Sequence, residues 1–153
     1  MINVAVLSGG RSPEHGISLL SAEQVVLNLN RSRWRAWPVF LDQDGLWWVA
    51  DRPLHGKKPT AHPRQGMRAM RPGAALEFLL EHCAVQVVFP ALHGPFGEDG
   101  TVQGMLELHG VPFVGCGCAA AAVSMDKIRT RECLTSHGIP MPRAYLPSAS
   151  LQG

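Results

Sequence analysis

Two unbroken apolar runs constrain this chain more than any other feature. They are "NVAVLS" (Asn3–Ser8) and "AVQVVFPAL" (Ala84–Leu92). A strand with one wet face alternates apolar and polar residues. A continuous apolar run instead predicts a strand covered on both faces. Such strands need helices on each side of a sheet, and helical spacing duly follows the first run. Leu19, Ala22, Val26 and Leu29 recur at helical intervals, with Ser18 expected as the N-cap. "AWPVFLD" (Ala36–Asp42) reads as a second strand, with Pro38 at its start or at an edge. "DQDG" before "LWWVA" predicts a hairpin. Ala74–Cys83 and Asp99–Gly110 read as helices, the second ending with Gly110 at C′. Gly104 inside that helix costs about 1 kcal/mol against alanine, which points to close backbone packing. "VPFVG" is a short strand. A last helix should start at Ser124 as N-cap and end at Gly138, with "MPRAYLP" as a closing strand. Alternating strands and helices predict an α/β fold: an open parallel sheet in a Rossmann-like three-layer domain with right-handed crossovers.

Composition narrows the function classes. A net charge of +2 is too small to argue for a nucleic-acid partner. No apolar run approaches the ~20 residues of a membrane helix. The N-terminus lacks a basic start and a cleavage site, so a cytoplasmic protein without a signal peptide is expected. Cys116 and Cys118 form C-x-C rather than C-x-x-C, and no second pair lies at zinc spacing. The four cysteines therefore read as reduced structural thiols, with no metal site expected. Residues Asp51–Gly73 carry four prolines and six Lys or Arg without apolar periodicity, which predicts a surface excursion.

Ligands of open α/β sheets bind beyond the carboxyl ends of the strands. Three glycine-rich loops leave strands there: Gly9–Gly16, "HGPFGEDG" (His93–Gly100) and "GCGC" (Gly115–Cys118). The first is neither G-x-G-x-x-G nor a P-loop, and Glu14 would repel a pyrophosphate. A carboxylate there suits an ammonium group. His93 suits a carboxylate or a proton transfer. Ammonium plus carboxylate describes an amino acid. The plainer readings are a solvated Glu14, helix-capping roles for Glu98 and Asp99, and a solvated Lys127.

Three blocks carry a family resemblance: "VAVLSGGRSPEHGISLLSA", "VVFPALHGPFGEDGTVQGMLELHGVPFVGCG", and "SMDKIRTRECL" followed by "GIPMPRAYL". In order and separation they resemble the N-terminal part of bacterial D-alanine–D-alanine ligases, which are ATP-grasp enzymes. The resemblance implies that ATP phosphorylates the carboxylate of one D-alanine. The amine of a second D-alanine then displaces phosphate, giving a dipeptide for peptidoglycan. Mg2+ is implied at the nucleotide phosphates. Glu14 falls on the acidic residue that holds the first ammonium, His93 on the substrate-binding histidine, and Glu98 on the carboxylate that supports it. Ser18 is grouped with the substrate-binding residues and Lys127 with ATP. Gly16 stands where the family usually has a second acidic residue. The implied layout is a substrate-binding domain over 1–122, with the excursion at 42–73, and the start of an ATP-grasp domain over 123–153. Family members are longer, so this chain alone is expected to be inactive. Homodimerisation through the N-terminal domain is also implied. The alternative is a free-standing, non-catalytic α/β module for dimerisation or small-molecule binding.

Overall fold

The computed structural model describes residues 1–54 and 66–145. Its centre is strand β1 (Ile2–Gly9). Strand β1 pairs in parallel with β2 (Trp34–Leu41) on one side and with β5 (Val87–Pro90) on the other. A strand with neighbours on both edges and helices over both faces has no wet side, and that accounts for its unbroken apolar sequence. Val4 and Val6 pack with Ala22 and Val26 of helix α1 (His15–Asn28) on one face. Ala5 and Leu7 point the other way. There they join Leu76 and Leu79 of α2 (Pro72–Glu81) and Val102 and Leu106 of α3 (Thr101–Leu108). Leu7, Leu76, Leu79 and Leu106 are each 0% exposed. Losing any of these side chains to alanine would remove about 2–5 kcal/mol of stability.

The expected parallel sheet forms the core, and an antiparallel extension makes it a mixed sheet. The predicted hairpin is β2 with β3 (Trp47–Ala50), antiparallel, with Val39 opposite Val49. Asp42 organises the turn. Its Oδ1 accepts the N–H groups of Asp44 and Leu46 at 3.0 and 2.9 Å, and its Oδ2 accepts Trp48 Nε1 at 2.8 Å. Strand β4 (Met67–Met70) then pairs antiparallel with β3, giving the order β4-β3-β2-β1-β5. It lies inside the segment expected to be a surface excursion. "MRAM" shows no strand-like alternation, so pairing with β3 makes it a strand where local pattern does not. The rest of that excursion, 55–65, lies outside the described residues.

Several boundaries differ from expectation for identifiable reasons. Helix α2 starts at Pro72, because proline suits the first helical position. Strand β5 does not reach back to Ala84, which turns at φ 48 on leaving the helix. "VPFVG" makes only an isolated bridge, Val88 with Phe113. Ser124 is not an N-cap. It lies inside an unpredicted helix, α4 (Cys118–Met125). The cap of α5 (Lys127–Ser136) is Asp126, whose carboxylate accepts the N–H groups of Ile128 and Arg129. Met141–Tyr145 form no strand, and the last two residues of that expected strand lie outside the described residues. Gly104 behaves as expected: a Cβ there would lie 3.3 Å from Cys118 Sγ. All four cysteines are free, and burial with the nearby Asp51 carboxylate pushes the Cys83 thiol up to about 11. Among the described residues no helix is long and apolar enough to cross a membrane.

Candidate functional site

The loops leaving β1 and β5 adjoin at the carboxyl end of the sheet. In the first loop, buried Ser12 makes a tight turn: its Oγ accepts the Glu14 N–H at 3.0 Å, and its carbonyl accepts the His15 N–H. Glu14 therefore sits at the N-cap position of α1, but its side chain does not cap the helix. The exposed carboxylate takes part in no hydrogen bond or ion pair among the described residues. It lies against the second loop instead. A Cβ built on Gly94 would be 3.0 Å from Glu14 Oε1 and 2.4 Å from Ser12 Oγ. Glycine at 94 is what lets the two loops touch.

His93 opens the second loop between two partners. Its Nε2 is 2.8 Å from Ser21 Oγ, and its Nδ1 is 3.7 Å from Glu98 Oε1. The other Glu98 oxygen accepts the Gly94 N–H at 2.8 Å. Glu98 thus spans its own loop and faces the imidazole. Asp99 ties down the following turn, accepting the N–H groups of Phe96 and Thr101. Burial raises its carboxyl, but those hydrogen bonds outweigh burial and hold it below the usual value of 3.8. His15, unremarked in the sequence, donates from Nδ1 to the Gly10 carbonyl at 2.7 Å and meets Phe40 edge-on.

Ser18 has a different position from the one the sequence suggested. It lies one turn inside α1 and is 0% exposed, so it is not the N-cap of the helix. Its Oγ accepts the Gly9 N–H at 2.8 Å and donates to the Ala91 carbonyl at 2.6 Å. One hydroxyl thereby fastens the start of both loops to α1. Ser18→Ala leaves a buried donor and a buried acceptor unpaired. The expected loss is about 1–3 kcal/mol per group. Urea unfolding measures it, and a midpoint equal to the parent's would contradict this role.

Lys127 is not part of this cluster. It is exposed in the first turn of α5, which packs on α4, and its side chain forms no hydrogen bond or ion pair among the described residues. No group of three or more His, Cys, Asp or Glu among the described residues could hold a metal ion. A cavity of about 240 Å³ opens at the same sheet edge, walled by Leu41, Trp47, Leu92, Val102 and Met105, with Gly9, Gly10 and His93 at its margin. Glu14, Ser21 and Glu98 do not line it. The polar cluster, not this mainly apolar cavity, carries the chemistry suited to an amino acid.

Parallel strands ending in two contacting glycine loops, which carry Glu14, His93 and Glu98, mark an α/β domain with its polar cluster at the edge where open sheets of this class bind ligands. Its family is more specific. The family model described as D-ala D-ala ligase N-terminus matches residues 3–116, and the chain belongs to that family. The D-alanine–D-alanine ligase of Mycolicibacterium vanbaalenii is 42% identical over 158 aligned residues, which cover 92% of this chain and 42% of that protein. The structure of the Coxiella burnetii D-alanine–D-alanine ligase superposes with a TM-score of 0.69 at 29% identity, covering 92% of this chain and 43% of the other. The VanG D-Ala:D-Ser ligase of Enterococcus faecalis gives 0.68 at 29% identity, with 93% and 43% covered. The chain spans less than half the length of these proteins.

Proposed function

We propose that this chain is the N-terminal, substrate-binding part of an ATP-dependent D-alanine–D-alanine ligase for peptidoglycan precursors. The observation that carries the reading is Glu14: a carboxylate without a partner among the described residues, held by a Ser12 turn against the loop that presents His93. A carboxylate on one loop and an imidazole on the adjoining loop match the two ends of an amino acid. Glu14 binds the ammonium of the first D-alanine by a charge-assisted hydrogen bond. His93 orients its carboxylate, and Glu98 keeps the His93–Gly94 turn in place. Residues 1–122 form the substrate-binding domain, and 123–153 begin the nucleotide-binding one. Helix α5 supports that boundary, for it buries no residue, while Val123, Met125, Ile128 and Ile139 stay exposed. Lys127 contacts ATP phosphates. Mg2+ would supply charge neutralisation on those phosphates. Its ligands would lie in the remaining length of the ligase. A cytoplasmic homodimer, formed through this domain, completes the proposal.

The test is ATP- and D-alanine-dependent phosphate release. This sequence is joined to the remaining length of the Mycolicibacterium vanbaalenii relative. The chimera should release phosphate, and the 153-residue chain should release none, since positive groups and metal on the transferred phosphoryl are largely missing. Release by the short chain alone would refute this division of labour. A folded but inactive chimera would refute the ligase reading. Sedimentation velocity tests the dimer.

A further inference from the structure

We propose that Ser21 is the positioning residue of His93: its hydroxyl fixes the orientation and tautomer of the imidazole. The inference rests on the reading of His93 given above and extends it to a residue with no role so far. Ser18 and Ser21 lie one turn apart and so share a face of α1. Ser18 holds the Ala91 carbonyl at 2.6 Å, and Ser21 holds the His93 ring at 2.8 Å. The helix therefore grips the same strand end twice, once at backbone and once at side chain.

The contact at Nε2 has consequences because Nδ1 faces Glu98 Oε1 at 3.7 Å. A carboxylate favours the proton on the nitrogen that faces it. That leaves Nε2 bare, as the acceptor of the Ser21 O–H. A half-turn of the ring would replace each nitrogen with a carbon and lose both contacts. Ser21 and Glu98 thus select one ring orientation and one neutral tautomer. A ring fixed in this way presents a single orientation to the site, and less ordering remains for the bound state.

The experiment uses the 153-residue chain labelled with 15N-histidine, at a pH where the imidazole is neutral. Two-bond proton–nitrogen correlations report the tautomer. The parent should show His93 mainly protonated at Nδ1. In Ser21→Ala the ratio of Nδ1–H to Nε2–H should fall about fivefold, the scale of one net hydrogen bond. Ser21→Thr retains the hydroxyl and should restore the parent ratio. Backbone amide shifts along α1 check that the helix is intact. An unchanged ratio in a folded Ser21→Ala chain would overturn the proposal, as would a fall that Ser21→Thr does not reverse. The reading of His93 itself fails on a different measurement: an unaltered KM for the first D-alanine in a His93→Gln chimera.

Discussion

Glu14→Gln in the full-length chimera should lower kcat/KM for the first D-alanine by at least ~100-fold, or about 2.7 kcal/mol at 1.36 kcal/mol per decade. Two limits frame that number. A solvated salt bridge contributes about 0–1 kcal/mol, and loss of one member of a buried pair costs about 3–5 kcal/mol. In the isolated chain Glu14 is exposed, which corresponds to the lower limit. The proposed site moves toward the upper one, because the rest of the ligase would close over the loops and exclude water around the ammonium. Glutamine keeps the shape and the hydrogen-bonding oxygen but removes the charge, so the loss isolates the electrostatic part. The KM for ATP should change little, since Lys127, the proposed phosphate contact, lies outside the Glu14 cluster. Stability should also hold, because the Glu14 side chain carries no internal hydrogen bond among the described residues. Steady-state kinetics with circular dichroism as a folding control decide the matter. Parent-like kinetics in a folded mutant would return Glu14 to a solvated loop residue.

How far the sequence could be read depended on the range of the forces involved. The β1 run was legible because burial on both faces imposes its pattern locally: each of Val4, Ala5, Val6 and Leu7 must be apolar whichever way it points. The family motifs were legible because they hold the loop residues themselves, and the two loops do adjoin. Strand β4 was hidden, since its strand character comes from pairing with β3 rather than from "MRAM". Ser18 was misplaced for a related reason. A serine before an apolar helical pattern is a good N-cap in one dimension, yet its partners are Gly9, nine residues back, and Ala91, just past the end of β5. Asp126 outcompeted Ser124 as cap because two helices meet there with no loop, a junction that periodicity does not reveal. Ser21 carried a faint signal, its three-residue spacing from Ser18, but no pattern in the chain announces a partner seventy-two residues away.

The largest structural effect is expected at Gly9, where β1 ends and the first glycine loop begins. Gly9, Gly10 and Gly16 form a series in which conformation and space can be separated. Gly16 has an ordinary helical position and nothing within 4 Å of a built Cβ. Gly16→Ala should be neutral or stabilising by up to about 1 kcal/mol, the helix-propensity gain over glycine. Gly10 has φ +99, but a Cβ there would meet only Leu92 Cδ2 at 3.8 Å. Gly10→Ala should lose about 1–2 kcal/mol, from backbone strain alone. Gly9 has φ +85 as well, and its Cβ would stand 2.3 Å from the Leu41 carbonyl oxygen. That oxygen is backbone of β2 and accepts the Gly10 N–H at 2.8 Å, so it cannot rotate aside. His15 Cε1 at 2.9 Å and Phe40 at 3.1 Å close the remaining space. Overpacking of about 1–3 kcal/mol adds to the strain, for a total near 2–5 kcal/mol. Losses of that size approach the whole stability of a small domain, about 5–15 kcal/mol. Urea unfolding of the three variants should rank Gly16→Ala above Gly10→Ala, with Gly9→Ala far below both or unable to fold. A Gly9→Ala chain as stable as Gly10→Ala would show that β1 and β2 can part at this end, and that the carbonyl of Leu41 is not the wall against which the first loop is set.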